Sequence, residues 1–171
     1  GIMGQIQVEY KVRITDSTGV QSLVNAEDNF TMKWNDKRIY LMNYNRYANE
    51  VFQGEQKNFA GKRILLGISD AKQIKALKSE NSRYILFKVN GNLWRYDQHD
   101  KKATCLFTFS DGSNEDVRAD YKKHDVKVLS VTDEGNVDFL VYGYMNRGNH
   151  EGENGIAGYH YTAAGNALEE R

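Results

Sequence analysis

The sequence has no proline, a single cysteine and no excess of charge of either sign. Proline is missing from all 171 residues, which is uncommon at this length and points to no function. One cysteine excludes an intramolecular disulfide. Cys105, between apolar neighbours in ATCLFTF, reads as a buried structural thiol. The compartment stays open on this ground, because secreted bacterial domains also occur without disulfides. Lys+Arg and Asp+Glu balance at 23 each, so no global field draws in DNA, RNA or anionic lipid, and no nucleic-acid partner is expected. Basic pairs such as Lys101-Lys102 and Lys122-Lys123 sit beside acids and read as solvated turns. No apolar run reaches the length of a membrane span and no signal peptide is evident, so no membrane insertion by this segment is expected. The opening GIMGQIQ reads either as a cloning scar or as a cut point inside a longer chain.

Signatures of chemistry are equally scarce. There is no G-x-S-x-G elbow, no P-loop and no dinucleotide fingerprint. The glycines of GENGIAG follow a loop and lead into a strand, so no helix N-terminus awaits a phosphate there. Neither KKHDVK nor NHEGE carries zinc-ligand spacing, which disfavours zinc held by His124 and His150. Trp34 and Trp94 are of a type that stacks on sugars, but each sits mid-strand, where core packing is the better reading.

What the chain does contain is strand-forming sequence. Helical periodicity is weak, and short runs rich in Val, Ile, Tyr, Phe and Leu recur between Asn, Gly and Asp. One stretch, SDAKQIKALKSEN at 69–81, has helix-like spacing of Ile74 and Leu77. An internal comparison decides for a strand. AKQIKALKSENSRYILF (71–87) lies over DVKVLSVTDEGNVDFLV (125–141) at an offset of 54, aligning Ile74 with Val128, Ile85 with Phe139 and Phe87 with Val141. The match resumes at an offset of 65, where Trp94 meets Tyr159 and Tyr96 meets Tyr161. The difference of 11 is an insertion in the later copy, residues 145–155, at a junction where the earlier copy has only the hairpin signal Asn90-Gly91.

Each copy therefore reads as four antiparallel strands: 72–78, 83–89, 93–97 and 103–109, then 126–132, 137–144, 156–162 and 167–170. Four strands repeating at this period are a propeller-blade signature. The predicted fold is all-β: four-stranded antiparallel repeats of β-propeller type, in an incomplete or open propeller. A barrel-like or sandwich arrangement of the same hairpins is the alternative. The chain reads as one domain, 1–171, with irregular N-terminal strands at 1–68 and a hairpin around Ser17–Gly19. A blade-like repeat follows at 69–109, a connecting loop at 110–125 and a second repeat at 126–171 carrying the 145–155 insertion.

The stretch SENSRYILFKVNGNLWRYD resembles blades of TolB-like and related propeller families, with a strand, an Asn-Gly turn and then Leu-aromatic-x-Tyr-Asp. SVTDEGNVDFLVYGY is similar to FG-GAP-type repeats, whose acidic loop holds calcium. On this chain that loop falls on Ser130, Thr132, Glu134, Gly135 and Asp138, of which Glu134, Gly135 and Asp138 fit the pattern. Residues 60–171 also resemble long, uncharacterised surface proteins of anaerobic Gram-positive bacteria. That resemblance implies an extracellular or cell-surface location and brings no activity with it.

In a blade, the link to the next blade and the link between strands two and three share a rim. Topology thus brings 110–125 and 145–155 together. They gather Asp111, Asp116, Asp120, His124, Asp125, Asn146, Arg147, His150, Glu151 and Glu153 as candidate ligand-binding residues. The plain reading is that surface loops are polar because their backbones must meet water. For an ion, carboxylates and amide oxygens suit calcium. The functional expectation is a non-catalytic binding or scaffold module of a larger surface or secreted protein. It would recognise a protein or glycan, or hold neighbouring domains of the longer chain. The alternative is a hydrolase-like propeller with its site on the same rim.

Overall fold

The sequence IMGQIQVEYKVRIT, Ile2–Thr15, alternates apolar and polar side chains, the period of a strand with one face to bury. A computed structural model describes residues 1–61, 63–67, 74–110 and 116–171. It is all-β, with four antiparallel sheets, and none of these closes into a barrel among the described residues. Backbone contacts fall into two units, Gly1–Gln53 with Leu65–Asp70 and Gly54–Ile64 with Ala71–Arg171.

The first unit is a three-stranded sheet of β1 (Ile2–Thr15), β2 (Gln21–Trp34) and β3 (Ile39–Glu50). Over residues 2–50 the strands expected to be irregular are long, with one register shift between β2 and β3 at Thr31 and Met32. Unbroken alternation keeps the pairing of β1 and β2 in register from Ile2 opposite Trp34 to Thr15 opposite Gln21. Asp16 closes their turn by accepting hydrogen bonds from the backbone of Thr18 and Val20 and from the Thr18 hydroxyl. On the apolar face, between Val8 and Arg46 in the register, lies Asp28. Its carboxylate accepts from Arg46 Nε at 2.6 Å and Nη2 at 2.7 Å, and from the hydroxyls of Tyr10 and Tyr44.

The Arg46 hydrogen bonds hold the Asp28 carboxyl at about 2, against the usual carboxylate value near 3.9. A carboxyl depressed in the folded state contributes its stability above the unfolded value and loses it as the pH falls through the folded value. Acid titration followed by tyrosine fluorescence should therefore leave this sheet's stability flat above about pH 4 and reduce it between there and about pH 2. Asp28→Asn should flatten that step.

The second unit holds the repeat. A short hairpin, β4 (Phe59–Ala60) and β5 (Arg63–Ile64), precedes two four-stranded sheets. One is β6 (Leu77–Lys78), β7 (Tyr84–Val89), β8 (Asn92–Asp97) and β9 (Lys102–Phe107). The other is β10 (His124–Val131), β11 (Val137–Tyr144), β12 (Asn154–Thr162) and β13 (Ala167–Glu170). Both meander in chain order. Asn90 and Gly91 both have positive φ, as the two-residue hairpin between β7 and β8 requires. The first strand of the earlier copy is shorter than the repeat predicts. Pairing is confined to Leu77 and Lys78, which form an exposed edge, while residues 72 and 73 lie outside the described residues. No helix forms over residues 74–81.

The two sheets stack face to face over one core. Leu86, Leu93 and Phe107 from the first meet Val126, Val137, Phe139, Val141 and Tyr161 from the second. Phe139 is fully buried, stacked on Tyr159 at 5.5 Å and edge-on to Phe107 at 6.0 Å. Equivalent residues of the two copies look the same way along the stack. Tyr96 stacks on Phe59 of the preceding hairpin at 5.2 Å, and its counterpart Tyr161 lies beside Arg95 of the preceding sheet at 5.0 Å. Trp94 covers Gly54 in the preceding segment, while its counterpart Tyr159 packs on Phe107. The copies thus repeat head to tail, and a two-fold sandwich would have reversed these directions.

The far face of the second sheet is more polar than its counterpart. Tyr84, Leu93 and Arg95 of the first copy are replaced by Asp138, Gly158 and His160. Asp138 accepts from the Ser130 hydroxyl at 2.8 Å and pairs with His160 Nδ1 at 2.7 Å.

Candidate functional site

The chain leaves β11 at Met145 and returns at Asn154, so Asn154 and Gly155 of the predicted insertion belong to β12. The remaining loop is built rather than slack. Met145 is buried in the core cluster, its N–H donating to the Glu153 carbonyl at 2.8 Å. Reverse turns follow, with Glu151 N–H on the Gly148 carbonyl and Glu153 N–H on that of His150.

Asn146 is the anchor. It is 1% exposed, and its Nδ2 donates to the carbonyl oxygens of Ala119 (3.0 Å) and Tyr121 (2.8 Å). Two acceptors on the nitrogen fix the orientation of the amide. Its oxygen, Oδ1, is buried and has no hydrogen-bond partner among the described residues. The insertion is thereby tied to the link between the sheets, where a 3-10 helix spans Val117–Asp120. Asp116 caps that helix by accepting from Arg118 N–H at 3.0 Å.

Charged side chains complete the junction. Arg118 Nη1 donates to Glu151 at 2.7 Å and its Nε to Asp116 at 3.1 Å. Arg147 pairs with Asp116 and reaches Glu151 at 3.5 Å. Hydrogen bonding to Arg118 holds the Asp116 carboxyl below the usual range and the guanidinium above its own.

Beside this junction lies a cavity of about 330 Å³ lined by Val117, Arg118, Tyr121, Tyr144, Asn146 and Glu151. The Tyr121 and Tyr144 rings meet edge to face at 5.1 Å. A second, larger groove of about 550 Å³ runs along Arg95, Asp97, Asp100 and Tyr161. Its principal charges are engaged: Asp97 by Arg83 at 2.8 Å, and Arg95 by the Gly135 carbonyl at 2.7 Å between the rings of Tyr84 and Tyr161.

Of the candidates named from sequence, the structure gathers Asn146, Arg147 and Glu151, together with Asp116. Asp111 lies outside the described residues. Asp120 ends the 3-10 helix, exposed, and does not line the cavity. His150 pairs with Glu170 at 2.9 Å and lies 3.6 Å from Glu153, so both are drawn toward β13.

His124 and Asp125, predicted within the connecting loop, belong instead to β10, opposite Gly143 and Tyr142. Their side chains are engaged at the sheet interface. His124 Nε2 is 3.1 Å from the Gly91 carbonyl oxygen, with its ring edge-on to Phe109. Asp125 accepts from Lys88 at 2.5 Å and from the Tyr142 hydroxyl at 2.9 Å. Burial alone would raise the Asp125 carboxyl, but Lys88, the Val126 N–H and Tyr142 outweigh it and hold the group low.

Glu134 is held low by the Thr132 hydroxyl, and Asp138 by His160 and then Ser130. Among the described residues no three of His, Cys, Asp and Glu gather closely enough to hold a metal ion.

Arg118, Tyr121, Tyr144 and Val117 were not picked from sequence. DYKK reads as a solvated turn, and Tyr144 as the end of a strand. The available signal was the placement of an aromatic at each foot of the two long loops. No family model, curated protein or solved structure matches the chain.

Proposed function

We propose that this chain is a non-catalytic binding module of a larger surface or secreted protein. Its second unit is a pair of propeller-type blades, and it recognises a protein or glycan through the rim formed by 116–121 and 145–153. The observation that carries the reading is the cavity at that rim, lined by Tyr121, Tyr144, Arg118 and Glu151. The head-to-tail repetition of the two sheets supports the propeller-type reading. A binding role is favoured over hydrolysis by the state of Asp116. General acid catalysis needs a carboxyl with a raised pKa, whereas Asp116 is depressed and clamped between two arginines.

The test is a labelled chain applied to glycan and protein arrays, with a parallel panel of chromogenic glycosides and peptides. Saturable retention without turnover is expected. Turnover that Glu151→Gln abolishes would replace the reading with an enzymatic one, and retention on neither array would remove it.

A further inference from the structure

We infer that the apolar face of the β1–β2–β3 sheet is the docking surface for a second copy of this chain, joined face to face about a two-fold axis. The surface belongs wholly to the first unit. The register puts Ile2, Ile6 and Ile14 of β1, Trp34 of β2 and Ile39 and Leu41 of β3 on one side, and each is between 47% and 67% exposed. The other side of β1 carries Gln5, Gln7, Glu9, Lys11 and Arg13, so one face alone asks for cover. An apolar patch of this extent on a soluble chain marks an interaction surface.

Area and charge select the occupant. Strands of 12 to 14 residues, at about 3.4 Å per residue and about 4.8 Å apart, give a face of about 45 by 15 Å. Two such faces remove about 1,300 Å² from water, within the range of specific stable interfaces. A two-fold contact sets the same patch on both sides, so the patch must tolerate its own image. Here the centre of the face does. Asp28, midway along the central strand, accepts two hydrogen bonds from Arg46 and one each from the hydroxyls of Tyr10 and Tyr44. The charge is thus matched within each copy, and an axis passing over Asp28 brings no unpaired like charges together. Glu50, at the end of β3, lies at the margin and accepts from the Ser22 hydroxyl.

The same cluster argues against a lipid surface. The Arg46 side chain is 54% exposed, and its Nη1 makes no hydrogen bond among the described residues. Hydrocarbon would leave that donor unmet at the middle of the face. A second copy supplies tyrosine hydroxyl oxygens at the same place.

The test is sedimentation velocity of the full chain from about 1 to about 100 µM, the weak end of affinities for interfaces of this size. A species of twice 19.6 kDa should predominate at the upper concentration. Ile6→Glu and Ile39→Glu, at positions already 50% and 63% exposed, should each weaken the dimer by about tenfold or more while keeping the circular dichroism of the wild type. Gln5→Glu adds the same charge to the polar face and should leave the dimer unchanged. A monomer at every concentration overturns the inference, and its flotation with phosphatidylcholine vesicles would assign the face to lipid. A dimer that survives both Ile6→Glu and Ile39→Glu overturns it as well, because pairing would then run through a strand edge.

Discussion

Phe139→Ala should cost the second unit about 3–5 kcal/mol, the range for emptying a fully buried aromatic site. Phe139 lies in the core shared by the two sheets, with Tyr159 of its own sheet stacked on one face and Phe107 of the other sheet against its edge. Neither neighbour can move into the void without leaving the other. Phe139→Leu keeps most of the volume and should cost less than about 1.5 kcal/mol. Urea unfolding followed by tryptophan fluorescence distinguishes the two, because Trp94 lies in the first sheet. A small loss for the alanine variant would mean that the sheets do not share a core.

The second large effect is expected at Gly143, where β11 bends toward the insertion. Its φ is +108°, and a Cβ built there would collide with the Lys123 carbonyl oxygen and come within 3.0 Å of His124 Cα. Both obstacles are backbone. The contact is also used, since Tyr144 N–H donates to that same Lys123 carbonyl. Gly143→Ala should therefore cost roughly 3–4 kcal/mol, combining an unfavourable φ with a displaced strand. Its cross-strand partner Gly155 provides the internal control. It has no atom within 4 Å of a built Cβ and no positive φ, so Gly155→Ala should stay within about 0.5 kcal/mol of wild type. Equal effects at the two glycines would contradict the backbone approach at β11.

The repeat was legible in the sequence because both copies kept their strand residues and hairpin signals. Asn90-Gly91 marks its turn by chemistry alone, and the pairs Trp94 with Tyr159 and Tyr96 with Tyr161 occupy equivalent faces in the structure. The insertion was legible too, as a change of offset. The register of the edge strand was not. β6 carries only Leu77 and Lys78, and a pattern of apolar residues says nothing about how far an edge stays paired.

Arg147, Glu151 and Asn146 were found because they lie in a polar loop. That same reasoning swept in His124 and Asp125, which the ladder with Gly143 and Tyr142 draws into β10. Tyr121 and Tyr144 were missed because each belongs by sequence to an element that explains it without a site. The Asn146 oxygen could not be identified at all before the two carbonyls that hold its nitrogen were located in space.

The most direct measurement replaces Asn146–Gly152 with Asn-Gly, restoring the two-residue hairpin of the earlier copy, and records the ¹H–¹⁵N spectrum. Met145 and Glu153 remain to close the ladder. The predicted result is a dispersed spectrum in which amides of β10 to β13 keep their positions, while resonances of 116–123 shift. Collapse of the β10 to β13 resonances would contradict the central claim, because the insertion would then be part of what holds the sheets together rather than a site laid upon them.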